Sequence, residues 1–173
     1  MPKILAGLEH LFDIGKSTEQ EQTEMNVIEA GHLWNDLLSR YYVLEETEFL
    51  KNFAKDGDLI IILNAGEKVL NKQVKILEQW LKRYAIKFPD RPPYDLKTAT
   101  KLDIVTDKYI FRRIFAGMQA FLNIHMQAFT QVPSPKLREQ LKKFLSQEME
   151  LYDLMYEYGK FKSWVAEPPA YRV

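Results

Sequence analysis

Residues 58–84 read DLIIILNAGEKVLNKQVKILEQWLKRY, with apolar side chains recurring every three or four positions. That spacing is typical of an amphipathic α-helix, because 3.6 residues complete each turn. A helix of this length measures about 40 Å. The stretch therefore predicts one long helix with a single buried face, formed by Leu59, Leu63, Gly66, Leu70, Gln73, Val74, Leu77, Leu81 and Tyr84.

A second long helix is predicted before it, from about Asn26 to about Lys55, and a tight turn at residues 56–58 joins the two. Asn26 suits the N-cap position, and Glu29 follows three residues later as in a capping box. The helical period assigns this helix an inner face made of Val27, Ala30, Trp34, Leu37, Leu38, Tyr41 and Leu44.

The chain from about Ala85 to Lys101 is predicted to be a connector, because it contains three prolines and proline interrupts helices. About 17 residues, each adding roughly 3.3 Å, span about 55 Å, which exceeds the length of one of the helices. The connector is therefore long enough to cross the whole length of a helical bundle.

Two more long helices are predicted after the connector. The first runs from about Leu102 to Val132, and its inner face is Asp107, Phe111, Ile114, Met118, Phe121, Leu122, His125 and Phe129. Pro133-Ser134-Pro135 predicts a stop and a restart, with Ser134 as N-cap and Pro135 as the first helical residue. The last helix runs to about Lys162, and its inner face is Leu137, Leu141, Phe144, Leu145, Glu148, Leu151, Tyr152 and Met155.

Four long helices joined by a short, a long and a short connection predict an all-α fold, a ferritin-like four-helix bundle with one long crossover. Residues 25–173 form this bundle together with a C-terminal tail from Trp164, which is predicted to be extended. Residues 1–24 form an N-terminal helix and linker. The linker is a polar loop from Lys16 to Glu24, and the apolar side chains of the helix are Ile4, Leu5, Leu8, Leu11 and Phe12.

The composition excludes several classes of protein. The 173 residues contain 24 basic and 24 acidic side chains, whereas a protein that tracks nucleic-acid phosphates normally has a basic excess. The absence of cysteine excludes disulfides, thiol catalysis and iron–sulfur clusters. The longest apolar run, Leu59–Leu63, is far shorter than the roughly 20 residues that span a bilayer. We therefore expect a soluble, cytoplasmic protein with no nucleic-acid or membrane partner.

A metal site is the first chemistry to test in a bundle of this kind. Di-iron bundles take one Glu from each of two helices and a Glu-x-x-His pair from each of the other two. One such pair exists, Glu29 and His32, and the helical period turns both residues away from the inner face. The sequence therefore predicts no catalytic residue and no cofactor. The alternative is a degenerate iron or manganese site with Glu148 and His125 as candidate ligands.

Glu148 lies at the centre of an apolar helix face and needs a hydrogen-bonding partner there. With a rise of about 1.5 Å per residue, Tyr41, Gln73 and Glu148 fall at one level of the bundle, and His125 falls about 9 Å away, near Trp34. We therefore predict a buried polar layer in which Glu148 accepts from the Gln73 amide and the Tyr41 hydroxyl. Burial should raise the pKa of Glu148.

Several stretches of the chain resemble a bacterial family of unknown function, the domain-of-unknown-function family 3231. They are EAGHLW at 29–34, NFAKD at 52–56, RPP at 91–93, DKYIFR at 107–112, LRE at 137–139, EMELYD at 148–153 and PPAY at 168–171. The family occurs mainly in spore-forming Gram-positive bacteria, and its members are often labelled spore coat proteins. The resemblance implies a ferritin-like bundle and an association with the spore, and it implies no established activity.

Three functions follow from these observations. The favoured one is a non-enzymatic structural or interaction protein of sporulating cells, which forms a homo-oligomer or binds other coat-type proteins. The charge distribution fits it, because residues 1–56 carry 11 acids and 5 bases and the rest of the chain carries the balancing excess of bases. The first alternative is a metal-binding, ferritin-like oxidase or storage relative. The second is a small-molecule binder whose ligand lies inside the bundle.

Overall fold

The computed structural model describes residues 4, 7, 8, 11, 15–93, 96–98 and 102–171, and the regular structure in that part of the chain is entirely helical. Its helices are α1 (Thr18–Glu24), α2 (Val27–Lys51), α3 (Gly57–Arg83), α4 (Asp107–Gln131) and α5 (Pro135–Phe161). The all-α prediction is therefore confirmed. The predicted N-terminal helix includes Leu5 and Phe12, which lie outside the described residues.

The ends of the long helices are set by local capping. The Asn26 side chain accepts from the backbone of Ile28 and Glu29 at 2.9 and 3.0 Å, and Glu29 accepts in return from the Asn26 N–H at 3.2 Å. This is the predicted capping box. Ser134 is the N-cap of α5 and Pro135 its first residue, also as predicted.

Three boundaries were predicted wrongly. The first long helix ends at Lys51 and not at about Lys55, so residues 52–56, and not 56–58, connect α2 to α3. The segment from Lys16 to Glu24 is not a loop, because Ser17 and Gln20 form a second capping box that starts α1 at Thr18. Likewise, α4 begins at Asp107 and not at Leu102. The Thr106 hydroxyl accepts from the Tyr109 N–H at 3.2 Å and caps the helix there.

The four long helices pack so that α2 and α5 each contact both α3 and α4. Neighbours run in opposite directions: Lys162, just after α5, donates to Asp56, just before α3, at 2.6 Å. The connection between α3 and α4 crosses the length of the molecule. Arg91 lies over the Tyr41 ring in the middle of α2, and the Leu96 carbonyl accepts from Asn52 at the end of α2, at 2.5 Å.

The core consists of two apolar clusters, one towards each end of the helices. The first cluster contains Leu33, Leu37, Leu44, Leu70, Leu77 and Phe144 among others, and the second contains Leu50, Leu59, Leu63, Ile110 and Met155. The second cluster continues into what we call the aromatic end, formed by Phe111, Phe115, Tyr158, Gly159 and Trp164. Gly159 is required there, because a Cβ atom on it would lie 2.1 Å from the Phe111 ring.

The inner face of α3 agrees with the prediction at all nine positions, and that of α2 does not. Val27 is 84% exposed, whereas Leu33, Asp36 and Arg40 are buried. The observed buried face of α2 is rotated about the helix axis relative to the predicted one. The reason is that α2 packs against both α3 and α4, and these two contacts bury a different strip of its surface. The rotation brings charged side chains into the core.

Candidate functional site

Five polar side chains meet in the interior of the four long helices, and we call them the polar core. They come from all four helices, and each is at most 4% exposed: Asp36, Arg40, Gln73, His125 and Glu148. Buried charges are costly unless they are paired and hydrogen-bonded, so the pairing within this group decides what it can do.

Arg40 is the centre of the polar core and is itself completely buried. Its Nη1 donates to Oδ1 of Asp36, its Nε donates to Oε1 of Gln73 at 2.9 Å, and its Nη2 lies 2.9 Å from Nε2 of His125. The guanidinium also stacks between two rings, 4.7 Å from the centre of Phe144 and 5.3 Å from that of Phe121. Such cation–π contacts stabilise a desolvated cation. The positive charge is therefore held by contacts on several sides.

His125 completes the link between Arg40 and Asp36. Its Nε2 lies 3.1 Å from Oδ1 of Asp36 as well as 2.9 Å from the Arg40 guanidinium. The proton can be on either ring nitrogen: a bare Nε2 accepts from Arg40, and a protonated Nε2 donates to Asp36. The ring also meets Phe121 edge-on, with centroids 4.6 Å apart. His125 is thus fixed in place by an ion pair and an aromatic ring.

The two carboxyl groups of the polar core differ in pKa. Burial would raise the pKa of Asp36, but Arg40 and His125 together outweigh it and hold the pKa below its ordinary value. Burial raises the pKa of Glu148, and the positive charge of Arg40 offsets this only in part. The predicted direction for Glu148 is confirmed. Among the described residues, Oε1 of Glu148 has no hydrogen-bond partner.

The predicted polar layer is only partly correct. Tyr41, Gln73 and Glu148 are all buried, and Gln73 neighbours Glu148 closely enough to lower its pKa. The Tyr41 hydroxyl, however, donates to Glu78 at 2.7 Å and not to Glu148. The Gln73 carbonyl binds Arg40, and its amide donates to Gln147 at 2.8 Å. The assignment of Tyr41 to Glu148 was therefore wrong, and Arg40, which the prediction left out, is the centre of this level of the core.

His125 was predicted to lie apart from Glu148, near Trp34. In the structure its Nε2 lies 2.9 Å from Arg40, whose charge acts on the pKa of Glu148, so both residues belong to the polar core. The sequence interpretation missed Asp36 and Arg40 altogether. A signal for them exists: they are an Asp–Arg pair four residues apart, between Leu33, Leu37 and Leu44 on one side of the helix. A charged pair inside an apolar strip indicates a buried ion pair.

The residues present do not fit a di-iron centre of the kind considered from the sequence. In the part of the chain that the structure describes, no group of three or more His, Asp or Glu side chains is placed to hold a metal ion. Glu29 is buried and was wrongly predicted to face outward, but it serves helix ends: it accepts from the backbone of Asn26 and of Ser134. His32 pairs with Gln131 at 2.9 Å. Arg40 supplies the positive charge of the core.

A cavity of about 60 Å³ adjoins the polar core, between the two apolar clusters. All four long helices line it, and Glu67 and Glu148 are its acidic residues in the interior. Glu46 and Arg113 line its outer side, where their side chains form an ion pair at 2.7 Å and are about half exposed. The remaining lining is mainly Leu, Ile, Met and Phe. The cavity is the place where Glu148 can meet something other than protein.

None of the described helices has the length and apolarity that crossing a bilayer requires.

No curated protein compared with the chain is similar to it in sequence. A crystal structure of a protein described as a putative spore coat protein, from Bacillus halodurans C-125, is similar in fold: the TM-score is 0.79 at 18% identity, over 88% of this chain and 99% of that one. The model of a family described as "protein of unknown function (DUF3231)" matches residues 13–173. The chain therefore belongs to the DUF3231 family.

Proposed function

We propose that this protein is a non-enzymatic structural component associated with the spore, with a ferritin-like four-helix bundle that uses no metal. The observation that carries the proposal is Arg40 at the centre of the polar core. A guanidinium keeps its charge at any physiological pH, and here it takes Asp36, Gln73 and His125 as partners. Two of these partners, Asp36 and His125, are side chains that a metal in this interior would otherwise use as ligands. The link to the spore is supported by the family and by the description of the Bacillus halodurans protein.

A structural role also needs a surface that binds other molecules. Ile61, Ile104 and Phe161 are 67%, 83% and 79% exposed, and all three lie at the aromatic end. They come from the start of α3, the approach to α4 and the end of α5, which the Lys162–Asp56 and Lys55–Asp107 contacts hold together. Large apolar side chains exposed at one end of a molecule mark a candidate interaction site. We infer that this end binds a second copy of the chain or another coat-type protein.

Metal content is the first readout that tests the proposal. The untagged protein is purified from cells grown with iron and manganese, and its metals are measured by elemental mass spectrometry. We expect far less than one metal per chain. One metal or more per chain, lost in the Glu148→Gln variant, would contradict the proposal and make the oxidase alternative the better one.

Self-association is the second readout on the same preparation, measured by sedimentation velocity. We expect an assembly larger than one chain, reduced in size when Ile104 and Phe161 are both changed to Asp. The control is Val27→Asp, because Val27 is 84% exposed at the opposite end of the molecule. An assembly that the control disrupts equally, or a wild-type protein that stays monomeric and captures no coat-type protein from spore extracts, would contradict this surface.

A further inference from the structure

Two acidic side chains, Glu67 and Glu148, line the interior part of the cavity, and burial raises the pKa of both. The cation that acts on Glu148 is Arg40, which is already paired with Asp36. Lys51 is shared, since it donates to Glu48 at 2.8 Å and to Glu67 at 2.5 Å. The outer pair of Glu46 and Arg113 balances itself. Each of the two cavity carboxyl groups therefore shares its cation with another carboxylate, Glu67 with Glu48 and Glu148 with Asp36.

The same two glutamates that line the cavity have unused hydrogen-bonding capacity. Oε1 of Glu67 and Oε1 of Glu148 have no partner among the described atoms, although the residues are only 8% and 4% exposed. Buried polar atoms of native proteins nearly always have a partner, so each exception calls for an explanation. Two such atoms on one cavity indicate that a hydrogen-bond donor belongs there.

Gly66 adds an observation that does not depend on charge. It lies inside α3 and lines the cavity, and a Cβ atom placed on it would meet nothing within 4 Å. A glycine inside a helix makes the helix less stable than an alanine would, and close packing does not require glycine at this position. Its effect is to leave space in the cavity.

We propose that this cavity binds the ammonium group of a small aliphatic amine, with Glu67 and Glu148 accepting its N–H bonds. An ammonium ion supplies both a positive charge and the missing donors. The alkyl part suits the Leu, Ile, Met and Phe lining, which would suit a hydrated metal ion poorly. A volume of about 60 Å³ limits the enclosed part to a few heavy atoms. This site gives a location to the ligand of the second alternative function, a small-molecule binder. The proposal does not depend on the structural role proposed above.

Methylammonium chloride is the probe, titrated into the full-length protein by calorimetry at constant ionic strength. We expect saturable binding of one ion per chain. Glu148→Gln should weaken it at least about tenfold, because a hydrogen bond to a charged group is lost. Glu150→Gln is the matched control, since Glu150 is exposed two residues further along the same helix, and it should bind as the wild type does. Tetramethylammonium, which has no N–H donor and is larger, should not bind.

The Gly66→Ala variant separates binding from folding. It should raise the melting temperature, because alanine favours the helix and fills empty space, and it should also weaken methylammonium binding. A more stable protein that binds less well cannot be explained by misfolding. No saturable heat with methylammonium, or equal binding by wild type and Glu148→Gln, would overturn the proposal and leave water as the occupant.

Discussion

The polar core and the aromatic end both involve side chains of α4 and α5, and they are stabilised in opposite ways. At the aromatic end, Phe111 packs against Trp164 and Phe115 with centroids 5.8 and 5.3 Å apart, and Gly159 lets the ring approach the backbone of α5. In the polar core, Arg40 is held by charge and directed hydrogen bonds. Shape complementarity stabilises the first region, and charge balance stabilises the second.

The difference shows how each region responds to damage. An apolar cluster that loses a group keeps its remaining contacts, and its neighbours relax in part. A buried ion pair that loses one partner leaves an uncompensated charge, which costs more than the pair was worth. The polar core should therefore be the more sensitive of the two regions to loss of a side chain.

The largest effect is expected for Arg40→Ala. The change leaves Asp36 buried without its cation, and we expect it to lower the free energy of unfolding by about 3–5 kcal/mol. Urea denaturation followed by circular dichroism measures it. Arg112→Ala is the matched control, since Arg112 is exposed on α4, and it should change stability by about 0.5 kcal/mol or less.

A double variant sharpens this test. Adding Asp36→Ala to Arg40→Ala removes the uncompensated charge. The double variant should therefore lose less free energy of unfolding than the two single variants lose in sum. If Arg40→Ala costs no more than Arg112→Ala, water reaches the polar core and the comparison between the two regions is wrong.

An intermediate effect is expected for Gly159→Ala at the aromatic end. The added methyl group would meet the Phe111 ring and the Val165 side chain, so one of them must move. Overpacking of this kind should lower the free energy of unfolding by about 1–3 kcal/mol. The same change at Gly31, where a Cβ meets nothing within 4 Å, should instead stabilise the protein by up to about 1 kcal/mol. The melting temperature should thus fall for Gly159→Ala and rise for Gly31→Ala. A shift of both melting temperatures in the same direction would contradict the close approach at Gly159.

The smallest effect concerns the pH dependence of Glu148. Because its pKa is raised in the folded protein, the folded state holds the proton more tightly than the unfolded state does. The wild type should therefore lose stability relative to Glu148→Gln as the pH rises from the unfolded pKa, near 4.5, through the raised folded pKa. Urea denaturation of both proteins at pH 4 and pH 8 measures the change. A difference between them that does not vary with pH would show that Glu148 is solvated.

Local signals predicted much of the helical framework. The nine inner positions of α3, the capping box at Asn26 and the start of α5 at Ser134 were all correct, because each depends on residues within a few positions of one another. The errors at Lys16 and Leu102 have the same origin: the caps at Ser17 and Thr106 were overlooked, although both are local.

The polar core could not be predicted in the same way. Helical periodicity gives the direction of a side chain about its own helix axis, but not which side chain of another helix it meets. Tyr41 was assigned to Glu148 by its height in the bundle, and the fold instead brings it to Glu78. Asp36 and Arg40 were left out of the predicted inner face because the face of α2 was judged from its apolar residues alone.

By itself, the sequence determined that four long helices form and where most of them begin. It also determined that the connector between α3 and α4 is long enough to cross the molecule. These properties depend on short-range hydrogen bonds, on apolar period and on the length of the connector. Only the tertiary structure decided that Arg40 is the central cation, that His125 joins it, and that a cavity remains beside Glu148. These features depend on which side of α2 faces α3 and α4. That orientation follows from the packing of all four helices together.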